Sequence, residues 1–107
     1  MGGHRDAMAA EVNSMAHFMV RVEFKAKAND ADLLEQRAFL EKITGDGTLL
    51  LAAILPEEPG KGIAIIQAAS LDAAKALYTG APLARKGIIA WSMSPLTLTY
   101  GSALGAK

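Results

Sequence analysis

Residues 48–69, TLLLAAILPEEPGKGIAIIQAA, decide the fold, because two apolar runs flank a short turn. The first run, at 48–55, is apolar at almost every position and ends at Pro56, which predicts a strand with apolar side chains on both faces. The seven residues at 56–62 include two prolines and two glycines and are too few for a helical crossover. The second run, at 62–69, is therefore predicted to pair with the first as an antiparallel hairpin.

One further strand is predicted on each side of this hairpin. The alternation at 17–25 places large apolar side chains on one face of the first strand: Phe18, Val20, Val22 and Phe24. The last strand is predicted at 88–98, where the alternating apolar side chains are Ile89, Trp91 and Met93.

Helices are predicted in the two remaining intervals. The first runs over 32–44, after several candidate N-caps at 29–32. The second follows Ser70 and is stopped by Gly80 and Pro82. The order strand, helix, strand, strand, helix, strand predicts an α+β fold, a ferredoxin-like βαββαβ sandwich with a four-stranded antiparallel sheet and two helices on one face. The single domain is expected at 16–101, with an N-terminal tail at 1–15 and a C-terminal tail at 102–107.

The apolar pattern also predicts a partner. Three of the four strands carry large apolar side chains on both faces, and two short helices cover only one face of a sheet. A specific interface buries about 800 Å² per partner, which is close to the area of the open face of a small sheet. We therefore expect a homodimer formed through the open sheet face.

Composition excludes several classes of protein. The eleven basic residues are balanced by eleven acidic ones, so the electrostatic attraction that drives non-specific nucleic-acid binding is missing. There is no cysteine, and therefore no disulfide, thiol nucleophile or thiolate metal site. No segment approaches the roughly 18 apolar residues that span a bilayer. We expect a cytoplasmic protein with no nucleic-acid or membrane partner.

Motifs for cofactors and metals fail on spacing. Asp30, Asp32 and Glu41 have the ends of a calcium loop, but Glu35 stands where that loop needs glycine. The glycines around Lys61 lead into a strand and not a helix, as a phosphate loop would. The two histidines lack the companions of a zinc site. No cofactor and no metal are expected.

Gln36 is the first unusual residue. It lies on the same side of the first helix as Leu33, Leu40 and Ile43, the side predicted to face the protein core. Either its amide is satisfied by a backbone group or a buried water, or it lines a small-molecule pocket between helix and sheet. Two interpretations are also open for Tyr78 and Trp91: packing in the core or contact with a ligand.

Arg21 and Glu23 are the second unusual feature, since both lie on the sheet face that the partner is expected to cover. They are interpreted as a pair across the interface or at its rim, or as a site for a small organic acid.

Three segments, DGTLLLA at 46–52, IAII at 63–66 and SLDAA at 70–74, are followed by Pro82, Gly87 and Pro95. Through these residues the chain resembles the YCII-related family over roughly residues 18–101. A more distant similarity, through Phe18, Val20, Arg21 and Glu23 and the pair Pro82-Leu83, is to the muconolactone isomerase family. The YCII resemblance implies a dimeric α+β barrel with the topology predicted above.

The resemblance also implies a catalytic pair that this chain lacks. Family members pair a histidine on the first helix with an aspartate before the proline that follows the second helix. Gln36 and Ala81 stand at those two positions, and neither side chain transfers protons near neutral pH. The function expected is a homodimeric small-molecule-binding domain without that chemistry. The alternative is an isomerase or dehydrochlorinase acting on a small cyclic or aromatic acid, with His17 or Glu23 replacing the missing group.

Overall fold

The computed structural model describes residues 15–100. The elements in chain order are β1 (Ala16–Phe24), α1 (Asp30–Gly45), β2 (Leu49–Ile54), β3 (Lys61–Ala68), α2 (Leu71–Thr79), α3 (Pro82–Arg85) and β4 (Ile89–Leu96). The strands form one antiparallel sheet in the order β2-β3-β1-β4. The predicted fold class is confirmed. The tails predicted at 1–15 and 102–107 lie outside the described residues, apart from residue 15.

Local capping sets the beginning of α1. The Asn29 side chain accepts a hydrogen bond from the backbone N–H of Asp32 at 2.8 Å, and the Asp32 carboxylate accepts one from the backbone N–H of Asn29 at 3.3 Å. This reciprocal capping box satisfies two of the free N–H groups of a helix start. The helix therefore begins at Asp30, two residues before the predicted start.

The structure adds a third helix that the sequence does not predict. Pro82 ends α2, as expected, but it also occupies the first position of the one-turn helix α3. Proline suits that position because the first N–H of a helix has no partner within the helix. The short helix turns the chain back toward β4.

The core lies between the helices and one face of the sheet. Val20 of β1 and Ile66 of β3 are fully buried at its centre. From the helices, Ile43, Ala74 and Leu83 pack against them. Leu33, predicted on the core-facing stripe of α1, is instead 46% exposed. It lies in the first turn of α1, where it lines the space between the helix and strands β2 and β3 and is not part of the core.

The other face of the sheet has no helix over it among residues 15–100. Met19 pairs with Ile65, and Ile65 pairs in turn with Leu51 of the edge strand. These side chains and the neighbouring Ile63 form an apolar row. We call the side of the sheet that carries this row the open face. Arg21 lies beside it, paired with Ile63 in the ladder.

The edge strand β2 is unusually exposed. Leu49 is buried, but the next five residues, through Ile54, are all exposed. A bulge between Leu49 and Leu51 shifts the register there. At its far end Gly62 faces the edge strand so closely that a Cβ would lie 2.8 Å from the Ala53 carbonyl oxygen. Glycine is therefore required at that position.

Within the described part of the chain, every helix is too short or too polar to cross a membrane.

Candidate functional site

A cavity of about 210 Å³ lies between α1 and the helix-covered face of the sheet. Its walls come from α1, α2, α3 and all four strands. Most of the lining is aliphatic, and its polar residues are Gln36 from α1, Tyr78 from α2 and Lys61 from β3. An apolar cavity with few polar groups is the usual form of a small-molecule site.

Gln36 is held by the backbone of α3. Its side-chain carbonyl oxygen accepts a hydrogen bond from the Leu83 N–H at 3.1 Å, and the residue is only 9% exposed. Because a backbone N–H can only donate, this contact assigns the amide: the oxygen faces Leu83 and the NH₂ group points elsewhere.

This bond explains how α3 begins. The N-cap residue, Ala81, has no side-chain oxygen to accept from the first turn of the helix. Gln36 supplies the missing acceptor from a different helix, 47 positions earlier in the sequence. The polar residue aimed at the sheet therefore has a structural partner, and it also lines the cavity.

Exposed charges tie the same two helices together. The Lys86 ammonium, which follows α3, lies 2.7 Å from the Asp32 carboxylate and 2.6 Å from that of Glu35. These hydrogen bonds raise the pKa of Lys86 and, with the capping bond from Asn29, lower the pKa of Asp32. Both contacts hold α3 against the N-terminal half of α1.

Tyr78 belongs to a cluster of three aromatic rings. Its ring meets Trp91 edge-on at 5.1 Å between centroids and Phe39 at 6.5 Å. Burial raises the pKa of its phenol above the usual value of 10.0, because the ionised form would lose its hydration. The hydroxyl therefore stays protonated at neutral pH and can donate or accept a hydrogen bond.

Large apolar side chains surround the entrance of the cavity. Phe24, Leu33 and Ile54 line it and are also well exposed, Ile54 at 79%. They come from β1, α1 and the end of β2, respectively. A rim of this kind gives an apolar molecule a path from solvent to the interior.

The structure brings together only some of the residues singled out from the sequence. Gln36 and Tyr78 line the cavity side by side with Leu83. Ala81 is fully buried next to Pro82 but does not contribute to the lining, and Trp91 supports the Tyr78 ring.

Arg21 and Glu23 lie in a different place. With Trp91 and Lys61 they line a groove of about 320 Å³ formed by β1, β3 and β4. Arg21 donates a long hydrogen bond of 3.4 Å to the Ser94 hydroxyl, and Glu23 pairs with Lys25 at 3.1 Å. The two charges are therefore not paired with each other in the protomer.

His17 is in a third location. It is paired in the ladder with Gln67 and Leu96, and it lines a separate cleft with Pro95 and Leu96. Among the described residues no cluster of three or more potential metal-ligating side chains is found.

Sequence reasoning missed Leu83, whose backbone N–H anchors Gln36. A backbone donor leaves no mark in the pattern of side chains. The available signal was Pro82, a residue suited to the first position of a helix whose next N–H groups need an acceptor.

Comparisons with known proteins bear on the fold. No family model matches the chain, and no curated protein matches it. The solved structure of the uncharacterized protein TM1266 from Thermotoga maritima is similar, with a TM-score of 0.51 at 14% sequence identity. The alignment covers 78% of this chain and 99% of that one.

Proposed function

We propose that this chain is a cytoplasmic, homodimeric domain of the YCII-related kind that binds a small molecule and does not carry out the family's proton-transfer chemistry. The observation that carries the proposal is the cavity beneath α1, in which Gln36 is fixed by Leu83 within an otherwise aliphatic wall. The polar group is buried and oriented, as a recognition group should be.

The chemistry of the lining argues against catalysis by general acid or base. The titratable residues that contribute to the cavity wall are Tyr78 and Lys61. Tyr78 is held in its protonated form by burial. Lys61 pairs in the ladder with Glu23, which places its side chain on the open face, away from the cavity. Proton transfer near neutral pH needs a group whose pKa lies in that range.

The homodimer rests on the open face. Met19, Ile63 and Ile65 lie side by side on adjacent strands, and each keeps part of its surface exposed within the protomer. Leu51 extends the row to the edge strand. A second copy that presents the same row would remove this apolar surface from water, at about 25 cal/mol for each Å².

The enzymatic alternative has no comparable support. It requires His17 or Glu23 near the ligand, and neither residue contributes to the wall that contains Gln36. Each belongs instead to a separate depression, as described above.

The binding proposal is tested by NMR on uniformly ¹⁵N-labelled protein titrated with small aromatic compounds. Binding in the cavity should shift the side-chain amide of Gln36 and the backbone amide of Leu83. The side-chain amide of Gln67, which donates to the Gly47 carbonyl at 2.8 Å away from the cavity, is the internal control. Shifts confined to the open face, or none at any compound concentration, would overturn the proposal.

The family assignment is tested separately, by restoring the missing pair. In Gln36→His combined with Ala81→Asp, the new imidazole should lie next to the new carboxylate, which would raise its pKa relative to the single variant Gln36→His. NMR titration of the imidazole measures the difference. Identical titration in the two variants would mean that these positions are not equivalent to the family's pair.

A further inference from the structure

We infer that the cavity selects a neutral, mainly apolar molecule with one hydrogen-bond acceptor, such as a ketone, ester or lactone carbonyl. This inference deepens the proposed function and rests on it. It differs from the small organic acid considered from the sequence, and the reasons lie in which polar atoms remain free inside the cavity.

The first reason is the direction of the Gln36 amide. Its oxygen is occupied by the Leu83 N–H, so the group left for a ligand is the NH₂, a donor. Gln36 lines the cavity, and no described residue accepts a hydrogen bond from this nitrogen, so we take the NH₂ group as the donor that meets a ligand.

The second reason is the Tyr78 hydroxyl. Tyr78 also lines the cavity, and its hydroxyl has no hydrogen-bond partner among the described residues. Because burial disfavours the phenolate, the hydroxyl keeps a proton to donate, although a neutral phenol can also accept a hydrogen bond. The Gln36 NH₂ group can only donate, so a ligand atom that pairs with both groups must be an acceptor.

The third reason is the lack of a positive charge at the wall. A carboxylate placed inside would be stripped of water with neutral donors as its only partners, and burying an unpaired charge is costly. Lys61 does not change this, since its ammonium lies 3.6 Å from the Glu58 carboxylate at the surface. A neutral carbonyl needs only the hydrogen bonds that the cavity offers.

Volume limits the size of the ligand. An apolar cavity of about 150 Å³ holds benzene. The cavity here, at about 210 Å³, has room for one ring with a short substituent. Larger molecules would extend past the exposed Leu33 and Ile54 at the entrance.

Three probes of nearly equal shape separate the possibilities. Acetophenone has a neutral acceptor, ethylbenzene has none, and benzoate carries a charge at neutral pH. Each is titrated into the ¹⁵N-labelled native protein, with the Gln36 and Leu83 amides as reporters. We expect acetophenone to bind about tenfold more tightly than ethylbenzene, since it pairs donors that ethylbenzene leaves unpaired. Its affinity should exceed that of benzoate by about tenfold or more.

The outcomes are distinguishable from failure of the binding proposal. If none of the three probes shifts the reporters, the cavity is not a binding site and both proposals fail. If ethylbenzene binds as tightly as acetophenone, the binding proposal stands and the acceptor requirement is wrong. If benzoate binds most tightly, the ligand is an acid and this inference is overturned.

Two variants test whether the preference for acetophenone over ethylbenzene comes from the Tyr78 hydroxyl and the Gln36 amide. Tyr78→Phe removes one hydroxyl and keeps the ring stack, and Gln36→Met removes the amide at similar length. Each should reduce the ratio of acetophenone to ethylbenzene affinity severalfold, while Gln67→Met, a matched change outside the cavity, should leave it unchanged. If the ratio is unchanged in both Tyr78→Phe and Gln36→Met, these two groups do not cause the preference for an acceptor. If Gln36→Met does not fold, Tyr78→Phe still tests the role of the hydroxyl.

Discussion

The two faces of the sheet are built from the same strands, but they present different side chains to a ligand or a partner chain. On the helix-covered face, Val20 and Ile66 are fully buried, and the cavity beside them contains two oriented polar groups. On the open face, their neighbours Met19 and Ile65 remain partly exposed and are accompanied by charged residues such as Arg21.

This difference separates two kinds of recognition. A small apolar molecule needs a concave, mainly aliphatic site with a few polar groups, and among the described residues the cavity on the covered face has this lining. A second protein chain needs a wide apolar surface with a polar rim, which the open face supplies. The alternation of side chains along a strand lets one sequence serve both purposes at once.

The largest expected difference is in stability. Ile66→Ala removes a fully buried side chain and should lower the free energy of unfolding by about 2–5 kcal/mol. Ile65→Ala, one position away on the open face, should cost less than half as much at protein concentrations too low for association. Urea denaturation of both variants measures the difference, and equal losses would mean that the two faces are equally buried.

The next effect is on association. Met19→Asp places a carboxylate in the middle of the open face and should raise the dimer dissociation constant about a hundredfold, or about 3 kcal/mol. Ala73→Asp, on the exposed side of α2, is the control. Sedimentation equilibrium reports both. A native protein that is monomeric at every concentration would exclude the homodimer.

The cap from Gln36 should be worth less than the core residue. Gln36→Met leaves the Leu83 N–H without its acceptor and should cost about 2 kcal/mol of stability. Gln67→Met removes an exposed hydrogen bond to Gly47 and should cost about 1 kcal/mol or less. Thermal unfolding compares the two, and a neutral Gln36→Met would mean that water replaces the side chain as the cap.

Ionisation of Tyr78 tests how dry the covered face is. Its pKa is raised in the folded protein, so stability is complete below the unfolded value of 10.0 and is lost as pH rises through the higher folded value. The phenolate absorbance that is missing from Tyr78→Phe should therefore develop above pH 10.0. Development at the value of a free tyrosine would show that water reaches the hydroxyl freely.

The smallest effect concerns the exposed tie between α1 and α3. Because Lys86 lowers the pKa of Asp32, the stability that native protein has over Lys86→Met should be present at neutral pH. It should disappear as pH falls through the lowered pKa of Asp32. Acid titration of the two proteins by circular dichroism follows this, and a difference that persists in strong acid would point to packing by the lysine stem instead of its charge.

Strand periodicity made most of the fold predictable. The alternation at β1 and the short turn before β3 fixed pairing and faces within one or two residues, because a strand shifted by one position would bury its polar side chains. The helix positions were less certain. The 3.6-residue period identified the inward direction of Gln36 and Ile43 but could not show that Leu33, on the same stripe, is largely exposed.

The candidate site was predictable only in part. Gln36 is conspicuous because a polar residue interrupts an apolar stripe, and Tyr78 could be proposed as a ligand contact. The alternation along β1 already predicted Arg21 and Glu23 on the open face. It could not show that His17 lies with Pro95 and Leu96, since that depends on how β1 pairs with β4. The sequence could not show the Leu83 N–H either, because every residue except proline has one.

The most direct test of the account is a set of nuclear Overhauser contacts between bound acetophenone and the protein. The account predicts contacts from the ligand to the side-chain NH₂ of Gln36, to the Tyr78 ring and to Leu40, all of which line the cavity. Contacts to Met19 and Ile65 instead would place the ligand on the open face and contradict the division of roles between the two faces.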